Sequence, residues 1–263
     1  MSIAADLALA LDPALILTRA GMPPDEWQAR VLRRRPRRSL LNVTRQGGKS
    51  STVGAMAIDE AVFHAPALVL VLSPSQRQSQ EAFRVIMQVH QKLGLGTARP
   101  ESESSLRVEL ENGSRIVALP GKEETVRGYA AVGLLIMDEA ARVADDLYRA
   151  VRPMLAVSRG RMVALSTPFG KRGWWHKEWS EGEDWERVRV TAAECPRISA
   201  EFLAEEKRAL PESWFRQEYC CEFADAEGSV FSYSDVMGAM SASVKPLFEL
   251  PANGITGDVQ PLF

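Results

Sequence analysis

Lysine and serine directly behind two glycines, in "TRQGGKSS" at 44–51, are the residue types that a loop needs in order to hold a polyphosphate. Such a loop turns backbone N–H groups toward the anion at a helix N-terminus, while the lysine reaches the outer phosphates and the hydroxyl reaches Mg²⁺. Gly48, Lys49 and Ser50 stand in those places, and Arg45, Gln46, Gly47 and Ser51 complete the nucleotide-binding stretch. The full form of this motif has a glycine where Val43 stands, so the tripeptide alone is a weak signal. The competing reading is a plain turn with a solvated lysine. A first-turn lysine opposes the positive end of the helix dipole, which favours an anion beside it.

Triphosphate hydrolysis needs a second set of groups, and "GLLIMDEA" supplies one by ending an apolar run with Asp138 and Glu139. Asp138 has the chemistry to hold Mg²⁺ through its water shell, together with Ser50 and phosphate oxygens. Glu139 is placed to orient and activate the attacking water. Alone, this pair is equally a strand end with two solvated acids. Both motifs in this order, each after a buried strand, point to ATP hydrolysis with Mg²⁺, which requires the two strand ends to lie side by side. Arg45, inside the loop, and Arg127, in "ETVRGYAAVG", are candidates for a further positive charge at the transition state, the first in its own chain and the second toward a neighbour. For either, an ordinary surface arginine is the alternative.

The elements that must position these groups are legible as short apolar runs, "SLLNVT", "ALVLVLS", "GLLIMDE" and "RMVALST", separated by helical stretches. Continuous rather than alternating hydrophobicity predicts strands buried on both faces, hence a mainly parallel sheet flanked by helices in an α/β chain. "SSTVGAMAIDEAVFH" and "SQRQSQEAFRVIMQVHQKLG" read as helices, and Asn112-Gly113 as a tight two-residue hairpin turn. Further on, a helical tail is expected over about 199–221, with Pro211 opening its second helix. The apolar opening stretch reads as an amphipathic packing helix. Trp174, Trp175 and Trp179 read as packing residues.

Composition narrows the function classes. The chain has 263 residues, 32 basic against 34 acidic, so its net charge of -2 exerts no global pull on nucleic acid and a polyanion must meet a local patch. The dense basic cluster "LRRRPRRS" reads either as a solvated segment or as a contact to DNA or a neighbouring subunit. Cys195, Cys220 and Cys221 suit neither a disulfide framework nor a zinc site, and His64, His90 and His176 have no metal-ligand spacing. A reducing cytoplasm is the expected location, and no run has the length of a membrane span.

"TRQGGKS", "LLIMDEA" and "ALSTPFG" in combination resemble the ATPase domain of the large terminase subunit of tailed bacteriophages, from about residue 27 to 232. The resemblance implies the P-loop NTPase fold of RecA/ASCE type with a small helical lid region at about 195–223. It implies Gln28, in "DEWQARVL", as the reader of adenine, and Arg45 as the sensing arginine. It also implies Arg127, in "TVRG", as an arginine finger acting on a neighbour's ATP, and "STP", with Thr167, as the motif that couples hydrolysis to movement. Implied partners are double-stranded DNA, further copies in a homo-oligomeric ring, the portal protein and the small terminase subunit, with no membrane. Complete members continue into a nuclease domain. Residues 224–263 are therefore expected to be a linker or the start of such a domain, after an ATPase domain at 1–223, and no nuclease activity is expected. A superfamily 2 helicase-like ATPase would share the loop and the acid pair but needs two RecA-like domains. A nucleotide-dependent DNA-binding or assembly module would need no turnover.

Overall fold

The computed structural model describes residues 3–94, 99–121, 126 and 128–224. Its framework is an eight-stranded sheet made of β1 (Arg38–Val43), β2 (Leu68–Ser73), β3 (Pro100–Glu103), β4 (Arg107–Leu110), β5 (Arg115–Pro120), β6 (Leu134–Asp138), β7 (Arg161–Ser166) and β8 (Glu186–Val190). The strands lie in the order β3-β4-β5-β2-β6-β7-β1-β8. From β5 to β8 every pairing is parallel, while β3 and β4 add an antiparallel edge. The four strands expected from apolar runs are all present. β8 alternates buried Val188 and Val190 with exposed arginines, and β3 is exposed throughout, so neither carries the continuous run of a central strand.

The hairpin differs from expectation in its turn. β4 and β5 pair Glu109 with Arg115, which leaves Glu111, Asn112 and Gly113 as a three-residue loop beyond the Leu110 N–H bond to Ser114 O, rather than a two-residue one. Gly113 lies at φ +81, and its N–H bonds to Leu110 O at 2.9 Å, the arrangement of a turn followed by one left-handed residue. Asn112 donates from Nδ2 to Ala61 O at 2.9 Å, tying the turn to the adjacent helix.

Helices cover both faces. On one side lie α1 (Ile3–Leu11), α2 (Ala14–Arg19), α3 (Glu26–Arg34), α4 (Lys49–Phe63) and α5 (Gln76–Leu93), packed over Leu41, Val71, Ile136 and Val163. The expected opening helix is thus two helices, broken where Asp12 Oδ1 accepts from Ala14 N at 3.1 Å around Pro13. On the other side α6 (Asp145–Val151) and α7 (Gly173–Ser180) pack over Leu40, Leu70, Met137 and Ala164. Trp174 and Trp175 belong to this second layer, with Trp174 stacked on Tyr148 at 4.1 Å, as packing residues. Because strand residues alternate between faces, Met137 points into the second layer and Asp138 falls on the side of α4. The tail forms α8 (Ala200–Ala209), capped by Ser199, and α9 (Glu212–Cys220), with Pro211 at its start.

The basic cluster is fastened to the domain's own acids. Arg33 bonds Asp12 at 2.9 and 2.8 Å, Arg34 faces Glu186 at 3.5 Å, and Arg38 faces Asp184 at 3.5 Å. Arg35 meets buried Asp59 and Glu60, and Glu60 also takes Arg161 at 3.2 Å. These pairs tie α3, α4 and the β8 edge together.

Candidate nucleotide site

The loop of 44–48 leaves β1 at the carboxyl end of the parallel strands, where crevices of α/β sheets take ligands. Val43, at the place of the missing glycine, stays buried in β1, and Thr44 extends the pairing by donating from N to Val190 O at 3.0 Å. Two positions then demand glycine. A Cβ at Gly47 would stand 2.6 Å from Val43 Cγ1, and Gly48 has φ +93. Gly48 is the N-cap of α4 and brings no capping side chain, so the first N–H groups of the helix are left to face an anion.

Lys49 opens α4 and folds over the loop, its Nζ donating to Val43 O at 3.0 Å and Thr44 O at 3.1 Å. Burial pushes its pKa down, while the charges of Glu139 and then Asp138 act in the opposite direction. The lysine of one motif is therefore in the field of both acids of the other. The strand ends are nevertheless not adjacent as the sequence reading required, because β7 lies between β1 and β6. Asp138 is pushed up to about 6, first by burial, then by the charge of Glu139, with Lys49 opposing. Its Oδ1 accepts from Glu139 N at 3.1 Å.

Glu139 stands at φ +50, in the left-handed region, which turns the chain sharply after β6. Its Oε2 takes Arg142 Nη1 at 2.9 Å, and Arg142 in turn lies 4.8 Å over the Phe169 ring, just past Ser166-Thr167-Pro168. Thr167 is buried, and so is Ser166, whose Oγ has no partner among the described residues. Ser50 is exposed at the helix start, and Ser51 Oγ donates to Gly48 O at 2.9 Å. Arg45 Nε lies 2.7 Å from Oε2 of buried Glu218, an ion pair between the loop and α9. Thr44 Oγ1 adds a 2.8 Å bond to Glu218 O. Gln46 is exposed in the loop at φ +60, and Arg127 lies outside the described residues.

Gln28 is buried on α3 beneath the loop, and its amide is occupied internally. Oε1 accepts from Asp25 N at 2.8 Å, and Nε2 faces Gly48 O, Ser51 Oγ and Thr52 Oγ1 at 3.1, 3.2 and 2.8 Å. Two contacts at the site were missed in the sequence, those of Glu218 and Arg142, and Glu218 had no local signal. Arg142 is readable only afterwards, as the i+3 partner of Glu139. Among the described residues no three His, Cys, Asp or Glu side chains gather as a metal cluster. The oxygen donors of Ser50 and Asp138 suit Mg²⁺, which prefers few carboxylates and completes its shell from phosphate and water.

The raised pKa of Asp138 has a consequence for stability. In the fold it titrates near 6, above the ordinary value of about 3.9 for an unfolded aspartate, so the native state holds the proton more tightly. Stability then falls as pH rises from about 4 to 6, and the penalty is complete above that. Asp138→Asn is expected to stabilise the nucleotide-free protein by about 1–3 kcal/mol at pH 8 and much less at pH 4. Melting curves at the two pH values check this, and an equal shift at both would contradict it.

Comparison with known proteins identifies the family and the fold. Residues 40–237 match the family described as terminase large subunit, T4likevirus-type, N-terminal. The terminase large subunit of Escherichia phage T5 is 29% identical over 232 residues, covering 82% of this chain and 51% of that protein. The chain thus spans about half the length of the curated relatives it matches. Among solved structures, the large terminase ATPase domain of Thermus phage P74-26 superposes with a TM-score of 0.70 at 22% identity, over 79% of this chain and 97% of that one. The large terminase of the thermophilic bacteriophage D6E in complex with ADP gives 0.62 at 12% identity, over 76% and 54%. The fold is that of these P-loop domains, and the helicase-like alternative is not favoured. The chain belongs to the T4likevirus-type terminase large subunit family, matching its N-terminal part.

Proposed function

We propose that this chain binds ATP with Mg²⁺ at the loop of 44–51 and hydrolyses it, and that hydrolysis drives double-stranded DNA into a viral procapsid from a homo-oligomeric ring in the host cytoplasm. The observation that carries the proposal is Lys49 at the uncapped start of α4, lying in the electrostatic field of Asp138 and Glu139. Lys49, now spent on two loop carbonyls, exchanges them for phosphate oxygens. Ser50 and Asp138 hold Mg²⁺, which supplies neutralising charge beside the outer phosphates. Glu139 takes the proton of the attacking water. Arg45 exchanges Glu218 for phosphate, and Thr167 lies within the same crevice end of the sheet. Arg127 acts across a subunit boundary. The portal protein and the small terminase subunit are the packaging partners.

Phosphate release measured with and without duplex DNA tests this. Turnover that needs Mg²⁺ and rises with duplex DNA is expected, with the rise weakening as salt increases. ATP binding without single-turnover hydrolysis would favour the assembly-module reading, and separation of a forked duplex would favour a helicase-like one.

A further inference from the structure

The amide of Gln28, expected to read the base, is engaged in bracing the loop. Gln28 Oε1 accepts from Asp25 N, and the two Nε2 donors are shared among Gly48 O and the hydroxyls of Ser51 and Thr52. Reading a base would break contacts that hold the start of α4 in place.

Another group stands in the right position. A Cβ on Gly48 would come 3.1 Å from Arg197 Nη2, so that guanidinium lies against the last glycine of the loop. Arg197 follows β8, which flanks β1 on the side away from β6. The acids that must meet the terminal phosphate end β6. A nucleotide lying across the loop with that phosphate toward β6 therefore extends its nucleoside toward β8. The guanidinium is held flat by two parallel bonds to Asp25, Nη1 to Oδ1 at 2.7 Å and Nη2 to Oδ2 at 2.6 Å. Its side chain is still 47% exposed, while Asp25 is nearly covered.

We propose that Arg197, braced by Asp25, is the residue that receives the nucleoside end of the bound triphosphate, its guanidinium plane stacking on the base, while Gln28 braces the loop from below. This rests on the nucleotide reading given above. A planar cation of fixed orientation suits an aromatic base at low entropic cost.

The test compares MgATP with Mg-bound inorganic tripolyphosphate, which has the phosphates and no nucleoside, by calorimetry on the whole chain. Arg197→Ala is expected to weaken ATP about tenfold and leave tripolyphosphate unchanged. Arg197→Lys keeps the charge beside Asp25 and is expected to keep the wild-type melting temperature without recovering the ATP affinity. The ratio of the two affinities does not depend on the folded fraction, so a merely structural role would not move it. Wild-type ATP affinity in Arg197→Ala, or equal losses for both ligands, would overturn this assignment alone. Wild-type protein that bound neither ligand would remove the nucleotide reading and this inference with it.

Discussion

Glu139→Gln is expected to lower kcat for ATP by about 10²- to 10⁴-fold while ATP affinity stays within a few-fold of wild type. Glutamine keeps the size of the side chain and can still accept a hydrogen bond, but it cannot take the proton of the attacking water. The left-handed turn at Glu139 comes from the backbone and from the 2.9 Å link to Arg142, which an amide oxygen can also accept, so the local fold survives. A second readout separates this from simple damage. The charge of Glu139 is the second-largest cause raising Asp138, so its removal lets Asp138 ionise at lower pH. MgATP binding should then persist to lower pH in Glu139→Gln than in wild type. A variant that hydrolysed ATP within three-fold of wild type would exclude Glu139 as the base.

Arg127→Ala is expected to cost about 10³- to 10⁵-fold in the hydrolysis rate of the assembled protein, the range for loss of an arginine finger. The resemblance of "TVRG" and the need for positive charge on the transferring phosphoryl group both lead to it. In wild type the rate per chain should rise with protein concentration as neighbours supply the arginine. Mixing Arg127→Ala with Lys49→Ala should restore activity, because the second variant lends its arginine to the intact loop of the first. A rate per chain independent of concentration, or mixtures no more active than their components, would contradict catalysis across an interface.

How much of this was legible in the sequence follows from the kind of signal each element carries. β1, β2, β6 and β7 are buried on both faces and wrote themselves as continuous apolar runs. β8 is an edge strand whose Arg187 and Arg189 face outward, so its valines alternate instead, and β3 has no apolar side chain besides exposed Pro100 and exists through pairing with β4. The hairpin was visible from Asn112-Gly113, but its length was set by the bonds of Leu110 and by Asn112 reaching Ala61.

The loop and the acid pair were legible because their chemistry is local to seven or eight residues. The strand between them was not: the two strand ends were expected side by side, and β7 lies between β1 and β6. Glu218 and Arg197 reach the loop from the tail, 174 and 172 positions from their partners Thr44 and Asp25, and such contacts leave no mark on local spacing. Gln28 was found by resemblance, while its bonds to Gly48 O and Thr52 Oγ1 join residues 20 and 24 positions apart and left no local signal. The arginine cluster read either as a solvated segment or as a contact to DNA or a neighbour, because its acidic partners, Asp12, Asp59, Glu60, Asp184 and Glu186, are scattered along the chain.

The central claim is that Lys49 and the acids at the end of β6 share one magnesium triphosphate. Calorimetric titration with a non-hydrolysable ATP analogue, in Mg²⁺ and then in excess EDTA, tests it on wild type and Lys49→Ala together. The account predicts saturable binding by wild type in Mg²⁺, at least about tenfold weaker binding in EDTA, and none measurable at millimolar ligand for Lys49→Ala. Binding that ignored both the metal and the lysine, or wild-type protein that took up no analogue, would contradict it.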